Sequence, residues 1–198
     1  MIPKTLREYY KLHAPIYDIT RWAFLFGRNR LKELLPTLPE KPVILDLGCG
    51  TGKHIPHLLK KYPGAKIYAL DQSKEMLSLI KKEAKEKVDI KNQEYQNTSF
   101  EEQQFDLILA SYSLSMMSNI DEKLNFIQLH LKKGGHLLVV DFDSTPFSFF
   151  SNWMKKNHVY FDHLLFLKLK DHFFEELIIT KTAYFGLYRY SSFLGRSK

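Results

Sequence analysis

One cysteine in 198 residues, Cys49, excludes a disulfide framework and a cysteine-based metal cluster. The eight histidines are scattered without metal-ligand spacing, which leaves metal-dependent hydrolysis without an evident donor set. No apolar run approaches the ~18–20 residues of a spanning helix, and the first residues do not read as a signal peptide. Repeats and low-complexity stretches are lacking too. These absences suit a single domain in a reducing, cytoplasmic setting. Acidic residues are outnumbered: 29 Lys and Arg against 22 Asp and Glu leave a net charge of +7. That excess admits an anionic partner, nucleic acid or an acidic membrane surface, and does not choose between them.

What is present centres on residues 43–54. Residues 43–47, Val-Ile-Leu-Asp-Leu, form a short apolar run with one carboxylate, Asp46, and suit a strand buried on both faces of a parallel sheet. Gly48, Gly50 and Gly52 follow, with Cys49 inside the turn. Such a turn tolerates positive φ and lets backbone N–H groups approach a ligand. Ile55, Leu58 and Leu59 share one face of a helix expected over 53–61. The next strand, 66–70, ends at Asp71, about twenty residues beyond the glycines, where such folds set an acid on ribose hydroxyls. Position 53 is Lys, so the turn departs from the Gly-x-Gly-x-x-Gly dinucleotide fingerprint.

Asp-x-Gly-x-Gly-x-Gly after a strand, with an acid closing the next strand, resembles the class I S-adenosylmethionine-dependent methyltransferases. The resemblance spans almost the whole chain. It implies an α/β fold: a Rossmann-like, mostly parallel sheet of seven strands, the last antiparallel, with helices on both faces. It implies S-adenosyl-L-methionine as cofactor and S-adenosyl-L-homocysteine as product. Asp46, Gly48, Cys49, Gly50, Gly52 and Asp71 would hold it, with Gln72, Met76 and Ser111 beside them. Gln96, Asn97 and Thr98, after the third strand, stand where this fold often reads the adenine edge. Many relatives have an Asp there and this chain has amides.

In chain order, residues 1–35 read as helical and dense in aromatics, a lid over the core of residues 43–198. Tyr17 and Arg21, four apart, share a helix face and could reach a carboxylate of the cofactor. Pro36, Pro39 and Pro42 mark the linker. Ser73 caps a helix expected to run to about 87. Strands are expected at 88–95, 104–111 and 137–142, and a helix at 121–131, with a turn at Lys133-Gly134-Gly135. Helices near 147–157 and 162–176, then a hairpin of 178–184 and 187–193, complete the pattern. The stretch 142–174 is rich in Phe with interleaved lysines, which suits core packing for most and a lipid interface for those beside Lys155, Lys156 and Lys168.

Three patches look like the N-methyltransferases of betaine-lipid synthesis, which act on diacylglyceryl homoserine: residues 17–28, residues 111–116, and Val140-Asp141-Phe142 with His158-Val159 beyond. That resemblance implies a lipid headgroup amine as acceptor, with peripheral contact at an anionic membrane, in a monomer or weak dimer. A soluble small molecule or quinone-like acceptor is the alternative. An amine becoming quaternary is favoured by aromatic faces, which nominates Tyr112, with Tyr17 and His158 behind it; His158 has the pKa range to accept the amine proton. Nucleic-acid methylation fits poorly. The place of an Asn/Asp-Pro-Pro-Tyr motif reads Ser111-Tyr112-Ser113-Leu114, the cysteine needed for pyrimidine C5 attack lies in the glycine turn, and no target-reading domain is evident. A cofactor-binding protein without catalysis is a third reading.

Overall fold

The computed structural model describes residues 25–156, 159–161 and 164–198. Its strands are β1 (Val43–Leu47), β2 (Lys66–Asp71), β3 (Asp89–Asn92), β4 (Phe105–Ser111), β5 (Leu131–Ser144), β6 (Phe173–Ala183) and β7 (Tyr188–Ser197). They form one sheet in the order β3-β2-β1-β4-β5-β7-β6. The pairs from β3 to β5 are parallel, and β7 runs antiparallel to both β5 and β6. This is the Rossmann-like arrangement expected from the sequence, with β7 as the reversed strand.

The central strands are apolar because both of their faces are covered. All seven residues of β4 are buried, as are four of the five in β1. Side chains alternate between two cores, as the period of two requires. Ile44, Leu107, Leu109, Leu138 and Val140 enter one core with Leu58, Phe150 and Met154. Leu45, Leu47, Ile108, Leu137 and Val139 enter the other with Leu124, Ile127, Leu165 and Leu169. The helices are α1 (Leu31–Leu34), α2 (Ile55–Lys61), α3 (Lys74–Ser78), α4 (Lys82–Lys85), α5 (Ile120–His130), α6 (Ser148–Lys156) and α7 (Leu165–His172); α2 and α6 supply those partners in the first core, α5 and α7 in the second. Among the described residues no helix is long and apolar enough to cross a membrane.

Several boundaries differ from the sequence expectation, each for a packing reason. The helix expected over 73–87 is two helices, α3 and α4, since Lys81 between them leaves the helical range at ψ 141° while Ile80 stays buried. A Cβ built on Gly52 would lie 3.1 Å from the Ile80 side chain. The third strand ends at Asn92 rather than 95, where its pairing with β2 stops at Asp71. The fifth strand begins at Leu131, and Lys133-Gly134-Gly135 forms an irregularity in its ladder with β4, Gly134 at φ +73°. The helix expected over 162–176 stops at His172, since Phe173 is taken into the β6–β7 ladder opposite Ser197.

The strand order reverses between β1 and β4, so their carboxyl ends splay apart and open a crevice. The site lies there.

Candidate cofactor and active site

The turn after β1 is held by backbone hydrogen bonds to its neighbour. Gly48 and Cys49 both donate N–H to the Leu70 carbonyl, at 2.8 and 3.0 Å. Gly48 has φ +70°, and a Cβ there would lie 2.4 Å from the Ser113 Cβ. Only glycine fits at that crossing of β1 and the post-β4 loop, which Ser113 secures by donating to the Leu47 carbonyl at 2.8 Å. Gly50 is different. Its φ is +55°, yet a Cβ would meet only the Met76 methyl at 3.4 Å, so the position faces open space rather than packed atoms.

Asp71 joins turn and helix. One carboxylate oxygen accepts from the Gly50 N–H at 2.8 Å and the other from the Ser73 N–H at 2.9 Å. Ser73 in turn caps α3, its hydroxyl accepting from Met76 N–H at 3.2 Å. Each Asp71 oxygen retains lone-pair capacity for a ligand hydroxyl. Burial pushes its carboxyl up, opposed by those two N–H bonds.

The crevice is a cavity of about 550 Å³. Gly48, Gly50, Asp71, Gln72 and Met76 form one wall, and Ser111, Tyr112 and Ser113 line it after β4. Asp46 lies behind the glycine turn at 1% exposure, and neither of its carboxylate oxygens has a hydrogen-bond partner. Burial raises its carboxyl to about 7, the Arg28 charge pulling down and the Asp71 charge pushing up. An orphaned carboxylate under a glycine cradle fits the cationic end of an amino-acid ligand. Cys49 is no nucleophile there: burial first, then Asp46 and Asp71, drives its thiol well up. His54, at the start of α2, is driven down to about 3 by burial and by Arg28, His57 and Lys53, so it stays neutral.

Tyr112 sits at φ +54°, an uncommon conformation for an aromatic residue. Its hydroxyl donates to the Phe26 carbonyl and its ring packs edge-on to Phe142, 4.7 Å between centroids. Burial, then Tyr188 and Asp141, holds the phenol well above its ordinary range, so this residue offers a ring face and no base. Asp141, within β5, is fully buried and accepts from the backbone N–H groups of Ser115 at 3.0 Å and Phe142 at 2.8 Å. Burial lifts it to about 6 against those bonds.

The far wall corrects one expectation. Gln96, Asn97 and Thr98 are exposed and outside the cavity; residues 97–99 form a short 3-10 turn. Gln93, Glu94 and Tyr95 stand at the cavity instead. Lys123, only 5% exposed, holds the last two: its ammonium meets Glu94 at 3.2 Å and donates to the Tyr95 carbonyl at 2.7 Å. His130 Nε2 must donate to the Asn97 carbonyl (2.9 Å), so its Nδ1 accepts from the Tyr95 hydroxyl (2.7 Å). That chain of bonds makes the wall rigid.

Cys49 and Gly52 likewise shape the turn from behind and do not line the cavity. Tyr17, Arg21 and His158 lie outside the described residues. Arg28, Ser118, Lys123 and Tyr160 line the cavity without having been named as site residues from the sequence. Arg28 carried a signal as the second arginine of the aromatic N-terminal stretch, and Met116 and Met117, which also line the cavity, close the stretch after β4 where methyl donor and acceptor are expected to meet.

Residues 44–135 match the family model described as a methyltransferase domain. The chain is 30% identical over 145 residues to a malonyl-[acyl-carrier protein] O-methyltransferase of Priestia megaterium, covering 72% of this chain and 53% of that one. It is 31% identical over 134 residues to a demethylmenaquinone methyltransferase of Thermotoga maritima, covering 65% and 57%. The chain spans about half the length of the curated relatives it matches. Among solved structures it is similar to the [4+2]-cyclase SpnF, with a TM-score of 0.76 at 16% identity over 100% of this chain and 98% of that one. A sheet of order 3-2-1-4-5-7-6, the glycine cradle with its acid at the end of β2, and the family match together identify residues 44–135 as a methyltransferase domain and give the chain the fold of the class I S-adenosylmethionine-dependent methyltransferases.

Proposed function

We propose that the protein transfers a methyl group from S-adenosylmethionine to the amine of a lipid headgroup. The observation that carries methyl transfer is the pairing of a glycine cradle with two acids in distinct states: Asp71 anchored by backbone N–H groups and Asp46 buried without partners. Asp71 suits ribose hydroxyls, and Asp46 with the Arg28 charge nearby suits the ammonium and carboxylate of the methionine moiety. Glu94 can accept from an exocyclic amine, and Met76 with Leu70 supplies apolar contact to a base.

When bound, the cofactor supplies a methyl carbon already activated by its sulfonium, so the protein needs chiefly to position an acceptor and exclude water. Tyr112, Met116, Met117 and Tyr160 form an apolar and aromatic end of the cavity, suited to a nitrogen that gains positive charge. The Tyr112 hydroxyl is engaged with Phe26 and both Asp141 oxygens are occupied by N–H donors, which favours an acceptor with a free lone pair over one that must be deprotonated in place. A second reading, a quinone-like acceptor, is favoured by the identity to a protein named demethylmenaquinone methyltransferase.

Calorimetry is expected to show binding of S-adenosylmethionine and S-adenosylhomocysteine and none of NAD. Incubation with labelled cofactor and a lipid extract, followed by mass spectrometry, should place label on an amine-bearing lipid. Label on a quinone fraction would select the second reading. Cofactor binding without any label transfer would leave the chain in the non-catalytic class or with the cyclase-like use of the fold.

We propose that the N-terminal stretch 1–35 is a lid over the methionine end; its residues 1–24 lie outside the described residues, and Arg28 lines the cavity. Removal of residues 1–30 is expected to leave a cooperative unfolding transition and raise the dissociation constant for S-adenosylhomocysteine. Equal affinity in the shortened chain would remove the lid from the picture.

A further inference from the structure

We propose that the carboxyl edge of the sheet, through α6 and the β6–β7 turn, docks on the surface of an anionic phospholipid bilayer. The proposal rests on the lipid-borne acceptor argued above and names the surface that presents it. On α6 the positions 149, 153 and 156 fall on one outward stripe. They are Phe149 (65% exposed), Trp153 (47%) and the exposed Lys156, with Lys155 beside them, while Phe150 and Met154 face the core. At the tip of the β6–β7 turn Phe185 is fully exposed. Tyr184, Phe185 and Gly186 all have positive φ, 48°, 54° and 100°, so the backbone there is held in a strained form that turns an aromatic outward.

These two elements are one surface. Because β6 runs parallel to β5, its end at Ala183 and the exit of β5 into α6 lie on the same edge as the cavity. Thr145 donates to the Leu187 carbonyl at 2.7 Å, tying the start of α6 to the turn. Phe150 stacks on Tyr188 at 5.7 Å and on Trp153 at 5.7 Å, and Tyr184 meets Tyr188 at 6.3 Å. Phe147 and Phe149 make a further exposed ring pair. Exposed apolar area of this extent is costly in water unless something covers it.

Charge selects the occupant. Residues 144–161 and 177–198 contain no Asp or Glu, while Lys155, Lys156, Lys181 and Arg189 are all exposed. Of the acids that border these stretches, Asp143 accepts from Ser191 Oγ at 2.6 Å and Glu176 pairs with Arg196 at 2.6 Å, both within the sheet, while Asp162 lies outside the described residues. Aromatic rings beside uncompensated cations match the headgroup region of an anionic leaflet. Lys168, which the sequence grouped with this face, is excluded from it. It pairs with Asp121 at 2.9 Å between α7 and α5, in the other layer. Tyr160, adjoining the end of α6, lines the cavity, so a docked face would set the cavity mouth against the lipid.

The test is co-sedimentation with vesicles of phosphatidylcholine alone and of an equal mixture with phosphatidylglycerol, at physiological and at several-fold higher ionic strength. The full chain is expected to pellet with the mixed vesicles and to be released as salt rises. F149S/F185S should weaken that binding by tenfold or more, and K155Q/K156Q/R189Q by about a hundredfold, with S-adenosylhomocysteine affinity unchanged in both. If the aromatic variant loses cofactor affinity as well, the charge variant decides. No preference for the anionic vesicles, or unchanged binding by the charge variant, would overturn the proposal. So would a dimer in sedimentation velocity that F149S/F185S makes monomeric, since a second copy would then be the occupant. Vesicle binding without label transfer to any lipid amine would overturn the acceptor and leave the docking surface standing.

Discussion

Asp71→Ala is expected to weaken S-adenosylhomocysteine binding by about 3–5 kcal/mol, on the order of 10²–10³-fold or more. The ribose contact alone would account for about 1.5–3 kcal/mol, as for a hydrogen bond to a charged group. The remainder follows from geometry the motif does not display. Asp71 also holds the Gly50 and Ser73 N–H groups, so its removal loosens both the cradle and the cap of α3. Asp71→Asn keeps one carbonyl acceptor, faces the second N–H with an amide donor, and should fall between the two. Gly50→Val provides the complementary result. Its Cβ would project into the cavity with only the Met76 methyl near it, so binding should vanish while thermal unfolding stays cooperative, at a strain cost of about 1–2 kcal/mol. Calorimetry with unchanged affinity in Asp71→Ala would reassign that carboxylate to a purely structural role. Wild-type affinity in Gly50→Val would move the ligand elsewhere.

Cofactor affinity is expected to fall about 50-fold between pH 7 and pH 5, roughly 2.3 kcal/mol. The motive is Asp46, whose carboxyl is raised to about 7 by burial in the free protein. A cationic methionine ammonium binds the ionised form, so a proton must leave Asp46 on binding, and each pH unit below 7 costs about tenfold. The sign is set by the raised value: ionisation is unfavourable in the empty site and is lost as pH falls through 7. Arg28, Asp71 and Cys49 are the charged or titratable groups around it, and Arg28 keeps the value from rising further. Asp71 is also raised and adds to the slope at its acid end. Asp46→Asn separates the contributions: affinity should be low and nearly flat with pH. A flat wild-type profile would place Asp46 out of reach of the ligand's charge.

The parts of the fold legible in the sequence were those fixed by local chemistry. Residues 43–52 read as strand and glycine turn because burial on two faces and positive φ leave few alternatives, and Asp71 followed at a distance set by one strand-helix-strand unit. Errors arose where a distant partner overrode local periodicity. Leu165, Leu169 and Phe173 are spaced four apart and read as one helix face, and all three do enter the same core. Phe173 nevertheless belongs to β6, because a strand from another part of the chain pairs with it. The far wall of the cavity lies three residues before the expected position for a related reason. Extending β3 to 95 pushed the expected contacts to Gln96, Asn97 and Thr98, whereas the strand ends at Asn92 and Gln93, Glu94 and Tyr95 come to the cavity. Lys123 left no trace at all in the sequence. A lysine on an amphipathic helix normally reads as solvent-facing, and only the carbonyl of Tyr95 and the carboxylate of Glu94 explain its burial.

The position of β7 between β5 and β6 has a consequence for how the molecule is made. During synthesis β6 emerges before the strand that attaches it to the sheet, and its ladder partners, residues 188–197, follow it. Until they arrive, β5 presents an open edge and β6, with Leu177, Ile178 and Ile179 in sequence, has nowhere to pair. The sheet therefore closes only once β7 is made: a nascent chain halted before residue 188 carries a complete cofactor cradle on a sheet that cannot yet be finished.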